Sequence, residues 1–178
     1  MALTATIFNF DVDLADNDRG VYETVALRVA QHPSESGEYL IARVLAYLLE
    51  YEEGIAFSRG VSEPEEPMIS VRDLTGKITS WIEIGTPDSA RLHRASKAAN
   101  RVVVYCHKEG SQWLKGLAAA GIHRAEALEL YALDRTLIAE LVSRLDRRMA
   151  FGVSINDREL YVSIGDVNLT GRVERLTI

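Results

Sequence analysis

The sequence has few of the features that mark a secreted or membrane protein. Its 178 residues include a single cysteine, Cys106, so no internal disulfide can form. No apolar run approaches the roughly 18 residues that a membrane-spanning helix requires. Residues 1–6 contain neither a basic stretch nor the long apolar segment of a secretory signal. We therefore expect a cytoplasmic protein that does not associate with membranes.

The chain also lacks a surplus of positive charge. Its net charge is −6 and its sequence pI is about 5.3. Contacts to a phosphate backbone need a basic face, so this balance argues against a protein that coats nucleic acid without specificity. It argues less against a hydrolase, since metal sites of hydrolases are themselves acidic. A Gly-rich phosphate loop, a dinucleotide fingerprint and zinc-ligand spacing are all absent from the sequence.

Hydrophobic residues make up 47% of the chain, which is enough for a sizeable core. The length fits one domain, and no repeat or linker divides it, so we predict a single domain over residues 1–178. The four prolines all lie in the first half, at expected element boundaries.

Hydrophobic periodicity predicts the order of the elements. Alternation of apolar and polar residues predicts strands at 5–14 and 21–30 that form a long hairpin, with a helix at 22–30 as the alternative. Helical spacing of leucines predicts a helix at 35–52, capped by Ser34 with Glu35 in its first turn. Further strands are predicted at 55–57, 68–72, 77–84, 102–105, 128–133, 149–155, 160–164 and 167–177, and helices at 86–100, 109–120 and 135–145. This order indicates an α/β (α+β) fold with a mixed central sheet and flanking helices.

The turn D-L-T-G at 73–76 sets the register of the predicted hairpin at 68–84. If Asp73 and Gly76 flank the turn, paired residue numbers sum to 149, and Glu66 faces Glu83 with Cβ atoms about 5 Å apart. If Thr75 and Gly76 form a two-residue turn, the sum is 151 and the two glutamates become diagonal neighbours on one face. Carboxylates so placed repel each other unless a cation or a proton lies between them. The alternative to a metal site is that both glutamates lie on a sheet face that is exposed to solvent.

A helix is predicted to begin at 86–88, with Thr86 as its cap and Pro87 at its first position. Arg91, Arg94 and Lys97 follow it at spacings of three. This spacing is typical of one cationic stripe, which either faces solvent or faces the glutamates and a bound phosphate.

Several motifs together resemble the YaeQ family of small bacterial proteins. They are H-P-S-E-S-G-E at 32–38, F-S-R-G at 57–60, E-E-P at 65–67, W-I-E-I-G-T-P-D at 81–88 and R-L-H-R-A-S-K-A at 91–98. The resemblance covers nearly the whole chain. It implies a variant of the PD-(D/E)XK nuclease fold.

That superfamily places an acid near the start of one strand, a D/E-x-K triplet on the next, and often a further acid on the preceding helix. Carried over to this sequence, Glu66 matches the first acid and Glu83 the acid of the triplet. Glu38 matches the helical acid, with Glu35 as the alternative. These residues would hold Mg²⁺, with Mn²⁺ as a substitute. Gly85 stands where the triplet has lysine, which departs from the family pattern.

Other charged residues complete the candidate site. Arg94 or Lys97 would supply the missing positive charge to the transition state. His32, Arg43, Arg59 and Arg91 are further pocket candidates, each with a structural role or a solvent-exposed position as the alternative.

Two functional hypotheses follow. The first is a Mg²⁺-dependent phosphodiester hydrolase acting on nucleic acid. The second is a catalytically inactive protein of the same fold that binds nucleic acid, or a protein of transcription or repair. We favour a monomer for either.

Overall fold

Two mixed β-sheets and four helices make up the structure, a computed structural model that describes residues 4–58 and 65–178. The strands of these residues, β1 to β11 in chain order, are Thr6–Asp16, Val21–Gln31, Ile55–Phe57, Ile69–Arg72, Ile78–Ile84, Arg101–Cys106, Glu129–Ala132, Arg148–Asn156, Glu159–Ile164, Val167–Arg172 and Glu174–Leu176. The helices, α1 to α4, are Gly37–Leu49, Ser89–Ala98, Ser111–Ala119 and Arg135–Ser143. The predicted mixed α+β class is confirmed, but there are two sheets in place of one central sheet.

The first compact unit comprises the chain up to Ile41 together with Leu133–Val173. Its sheet has the order β10-β9-β8-β1-β2, with β1 and β8 parallel and the other pairs antiparallel. Alternate residues of β1 are buried, including Phe10 and Val12, as the period-two pattern requires. Residues 21–30 form a strand, so the helical alternative for this segment was wrong.

The second unit comprises Ala42–Ala132 and Glu174–Ile178. Its sheet has the order β11-β7-β6-β5-β4-β3. The three parallel strands β5, β6 and β7 are joined by α2 and α3, which pack on one sheet face around Trp81, Val102 and Val104. The segment 167–177 was predicted as one strand, but it divides at Val173 into β10 and β11, which belong to different sheets.

Two helix starts differ from the prediction. Ser36, rather than Ser34, caps α1 through its Oγ, which accepts a hydrogen bond from the Tyr39 N–H at 3.1 Å. Asp88, rather than Thr86, caps α2 and accepts the Arg91 N–H at 2.8 Å. Serine and aspartate are both strong N-cap residues, so sequence preference alone did not separate neighbouring candidates.

The chain forms two compact units, and the prediction of one domain over residues 1–178 stays a prediction. Across the described part of the chain, none of the helices has the length and apolarity that crossing a membrane would require.

Replacing Gly171 by alanine should destabilise the first unit by about 2 kcal/mol, in the range typical of overpacking. A Cβ at this position in β10 would lie 2.8 Å from Leu137 Cβ and 2.9 Å from Asp134 Cβ, so α4 would have to shift. Gly152→Ala in β8 is the matched control, because its Cβ would meet nothing closer than 3.8 Å. Urea unfolding of both variants measures the difference, and equal stability of the two would contradict the close approach of α4.

Candidate functional site

The hairpin of β4 and β5 closes with a turn that differs from both predicted turns. The Asp73 N–H donates to Lys77 O at 3.0 Å, and the Gly76 N–H donates to Asp73 O at 3.0 Å. The loop therefore has three residues, with Gly76 at φ +87° in the left-handed region that glycine tolerates. A bulge between Val71 and Arg72 then shifts the pairing.

Beyond the bulge, the register is the second of the two predicted alternatives. Ile69 pairs with Ile82, rather than with Ser80, and Ser70 pairs with Trp81. Glu66 precedes β4 and so does not lie directly opposite Glu83, and the prediction of a facing pair was wrong. Glu66 instead lines a pocket of about 340 Å³ together with Phe57, Ser70, Arg72 and their neighbours.

The carboxylate of Glu83 is buried and already paired. Its Oε1 accepts a hydrogen bond from Trp81 Nε1 at 2.7 Å and a second from Arg91 Nε at 2.6 Å. Arg91 Nη2 donates to the main-chain carbonyl of Glu66 at 2.7 Å. Arg91 therefore links α2 to β5 and to the segment before β4, and its positive charge occupies the position expected for a cation beside Glu83.

Burial dominates the protonation of Glu83. It raises the pKa of this carboxyl group above its usual value, and the hydrogen bond from Trp81 and the charge of Arg91 oppose the shift without cancelling it. A carboxylate that already accepts from an indole and a guanidinium is a poor ligand for Mg²⁺, which requires octahedral oxygen ligands. Within residues 4–58 and 65–178, no three His, Cys, Asp or Glu side chains are placed to hold a metal ion. The described donors therefore do not fit the implied Mg²⁺ site.

Gly85 departs from the nuclease triplet in its backbone as well as its side chain. Its φ is +95°, a left-handed conformation, and its N–H donates to Tyr105 O at 2.9 Å. A Cβ here would lie 3.7 Å from His107 Cε1, so space is available but the backbone is unfavourable. A lysine at this position would carry about 1–2 kcal/mol of backbone strain.

The predicted cationic stripe divides between two environments. Arg91 is half-buried against Trp81 and Glu83, whereas Arg94 and Lys97 are exposed. Each three-residue step turns a helix by about 300°, so Arg91 and Lys97 lie about 120° apart around the axis. Only Arg91 reaches Glu83, and the catalytic roles predicted for Arg94 and Lys97 have no acidic centre beside them among the described contacts.

The remaining candidates lie elsewhere. Glu38 is exposed in the first turn of α1 and, like Glu35 and His32, belongs to the first unit. His32 Nδ1 accepts the Ser34 N–H at 3.1 Å, and Glu35 Oε1 accepts the His32 N–H at 3.3 Å, so both stabilise the turn before α1. In the second unit, the guanidinium of Arg43 lies over the ring of Phe57, 5.9 Å from its centroid. Arg59 lies outside the described residues.

A larger charge network lies on the other face of the second sheet and escaped the sequence analysis. Arg101 donates to Glu50 Oε2 and Glu129 Oε2, each at 2.6 Å. Tyr105 donates its hydroxyl proton to Glu50 Oε1 at 2.5 Å. Hydrogen bonds and charges from both glutamates raise the pKa of Arg101, although burial opposes this. The network joins the end of α1 to β6 and β7.

Charge is distributed unevenly along the chain. Residues 86–126, which contain α2, β6 and α3, have seven Lys or Arg and three Asp or Glu. The whole chain has 20 Lys or Arg and 26 Asp or Glu. This segment therefore carries a net charge of +4 and the remainder −10. Lys97, Lys108 and Lys115 are exposed in it, as is Arg94.

Comparison with known proteins identifies the family. The family model described as "YaeQ protein" matches residues 1–173. The chain belongs to the YaeQ family. The proteins named "Uncharacterized protein YaeQ" from Salmonella typhi and Escherichia coli (strain K12) are 33% and 32% identical to it over 171 residues, which cover 95% of this chain and 94% of each relative.

Solved YaeQ structures share the fold. The crystal structure of YaeQ from Pseudomonas syringae matches with a TM-score of 0.89 and 29% identity, covering 98% of this chain and 97% of that chain. The YaeQ structure from Xanthomonas axonopodis pv. citri matches with a TM-score of 0.89 and 32% identity, covering 98% and 99%. The YaeQ architecture thus extends over almost the entire chain.

In this YaeQ-family chain, Glu83→Gln should become more stable relative to the wild type as the pH rises from about 4 to about 7. The folded state binds the Glu83 proton more tightly than the unfolded state, because the folded pKa is raised. The stability contributed by this group is therefore present below the unfolded pKa of about 4.3 and is lost as pH rises through the folded pKa. Urea unfolding at each pH measures it. Glu140→Gln, at an exposed position, should change stability by less than about 0.5 kcal/mol at either pH; a Glu83→Gln difference that does not vary with pH would contradict the assignment.

Removing the charge of Arg101 should cost about 2–4 kcal/mol, because Glu50 would be left buried without a cation. Arg101→Met keeps most of the side-chain volume, and urea unfolding of this variant measures the loss in the free energy of unfolding. The control is Arg144→Met, which breaks an exposed i,i+4 pair with Glu140 and should cost less than about 1 kcal/mol. Comparable losses in the two variants would mean that the network adds no more than a surface ion pair.

Proposed function

We propose that this protein is a catalytically inactive member of the PD-(D/E)XK fold that binds nucleic acid. The observation that carries the proposal is the pairing of Glu83 with Arg91 and Trp81. Arg91 neutralises the carboxylate that would otherwise attract a divalent cation. The proposal accordingly assigns no Mg²⁺ to Glu66 and Glu83.

The backbone of Gly85 supports the same conclusion. In a working triplet the lysine stabilises charge that develops in the transition state. Here the chain leaves β5 at Gly85 with φ +95° and begins the loop to α2. The exposed cations Arg94 and Lys97 lie outward from α2, away from the buried carboxylate, so neither replaces that lysine in the paired site.

The surface charge supports nucleic acid as the ligand. Arg91 and Arg101 are paired with glutamates outside residues 86–126, so the attraction for a phosphate backbone comes from the exposed cations of this segment. They are Arg94, Lys97, Lys108 and Lys115. Arg94 and Lys97 stand one turn apart on the exposed side of α2, where both can contact neighbouring phosphates. Contacts of this kind give binding that weakens steeply with salt.

Binding should depend on Arg94 and Lys97. For a 5′-hydroxyl duplex labelled with a fluorophore, we expect the R94Q/K97Q double variant to bind more weakly. We expect its slope of log affinity against log salt to be smaller by about 2, one unit for each lost phosphate contact. Fluorescence anisotropy at several salt concentrations measures both. The matched control is R147Q/R148Q, which removes the same charge from exposed positions in the first unit and should leave the slope unchanged.

The same protein should not cleave DNA or RNA with Mg²⁺ or Mn²⁺, and Glu83→Gln should bind the duplex as the wild type does. Calorimetric titration with Mn²⁺ should show no saturable site. Metal-dependent cleavage that disappears in Glu83→Gln would overturn the inactive assignment in favour of the hydrolase. Equal salt slopes in the two double variants would overturn the binding surface.

A further inference from the structure

A pocket of about 390 Å³ lies beside α2 and does not include Glu83 or Arg91. Its walls are Ser89, Ala90, His93 and Arg94 of α2, and residues 120–122 after α3. All of these belong to the second unit. The volume is within the range of small-molecule sites.

His93 is held in one orientation at this pocket. Its Nδ1 accepts the backbone N–H of His123 at 3.0 Å, and the two imidazole rings meet edge to face with centroids 6.2 Å apart. Because a backbone N–H can only donate, Nδ1 carries no proton in this arrangement and the neutral ring has its proton on Nε2. Within residues 4–58 and 65–178, no protein group is hydrogen-bonded to Nε2. His93 therefore presents a fixed donor.

Arg94 adds a positive charge to the same wall. Its side chain is exposed, and it has no ion pair or side-chain hydrogen bond with any other described residue. The hydroxyl of Ser89 is a further donor. No Asp or Glu lines the pocket, which is unusual for a surface of a protein with a net charge of −6. The polar side chains are thus suited to an anion.

The shape of the pocket narrows the class of anion. Ala90, Ala120 and Ile122 are small or apolar, and they leave room beside the donors for the uncharged part of a ligand. A guanidinium together with an imidazole N–H and a hydroxyl matches the several oxygens of a phosphate better than the two of a carboxylate.

We propose that this pocket binds the phosphate group of a phosphate monoester, held by Arg94 and by the Nε2–H of His93. The ester is either a free small molecule or the phosphorylated end of a nucleic acid strand. The inference rests on the proposed function only for the second of these sources. No catalytic step is attached to the site.

The test is a titration followed by NMR of the histidine side chains. Of the four histidines, only His93 lines the pocket. We expect inorganic phosphate, added at constant ionic strength, to shift the His93 ring signals in a saturable manner. A 5′-phosphorylated oligonucleotide and its 5′-hydroxyl counterpart form the second arm. Stronger binding of the phosphorylated strand, with the same His93 shift, identifies a strand end as the source, whereas a response to inorganic phosphate alone identifies a free ester.

Three variants separate the pocket from general attraction by charge. Arg94→Gln should weaken phosphate binding by about tenfold or more, as expected for loss of a charge-assisted hydrogen bond. His93→Asn can still accept the His123 N–H but lacks the Nε2–H, so it should weaken binding by about three- to tenfold. Lys115→Gln removes an exposed charge from α3 outside the pocket and should change affinity by less than about twofold.

Shifts of His93 that rise linearly without saturating would overturn the proposal. So would equal weakening by Arg94→Gln and Lys115→Gln, since that pattern indicates non-specific attraction. The duplex used for the salt slopes has no terminal phosphate, so a failed pocket leaves that result unaffected. Conversely, if the protein binds phosphate saturably but does not bind the duplex, the proposed nucleic-acid binding is contradicted and the phosphate pocket is supported.

Discussion

The arrangement of the second unit depends on how the buried carboxylate of Glu83 is compensated. A carboxylate with almost no solvent exposure costs several kcal/mol unless a cation and hydrogen-bond donors accompany it. Arg91 and Trp81 provide them. Because Arg91 lies in the first turn of α2 and also donates to Glu66 O, this requirement fixes the start of α2 against β5 and against the segment before β4. The metal ion expected at Glu83 and the observed ion pair with Arg91 would each neutralise the same buried carboxylate.

Charge pairing occurs on both faces of the second sheet. On the face opposite Glu83, Arg101 is shared by Glu50 and Glu129, with Tyr105 donating to Glu50. Glu129 also forms an ion pair with Arg175 at 4.0 Å, so the two carboxylates of this group are balanced by two guanidiniums. Arg91 and Arg101 therefore stabilise the fold through their ion pairs with buried glutamates. The cations left for a ligand are those outside the helical layer, which is why we place binding on that surface rather than in the acidic centre.

Much of the fold follows from local patterns, and the site does not. Alternation predicts β1 and β2, and helical spacing predicts α1, because each pattern is contained within a dozen residues. The register of β4 and β5 depends on a three-residue loop and a bulge. A turn that is longer or shorter by one residue would shift the pairing of the two strands. The Arg101 network joins positions 50, 101 and 129, whose proximity depends on the order of strands. The available signal was an arginine directly before the apolar run V-V-V-Y, a position where a charge needs a partner.

The phase of α2 decides which of its cations serve the interior and which serve the surface. Leu92, Ala95 and Ser96 set the buried side of the helix. With about 100° per residue, Arg91 lies at the edge of that side, whereas Arg94 and Lys97 each lie about 150° from its centre. Rotating the helix enough to bring Arg94 to Glu83 would withdraw Arg91 and expose Leu92. Neutralisation of Glu83 by Arg91 and exposure of Arg94 are thus two consequences of one packing arrangement.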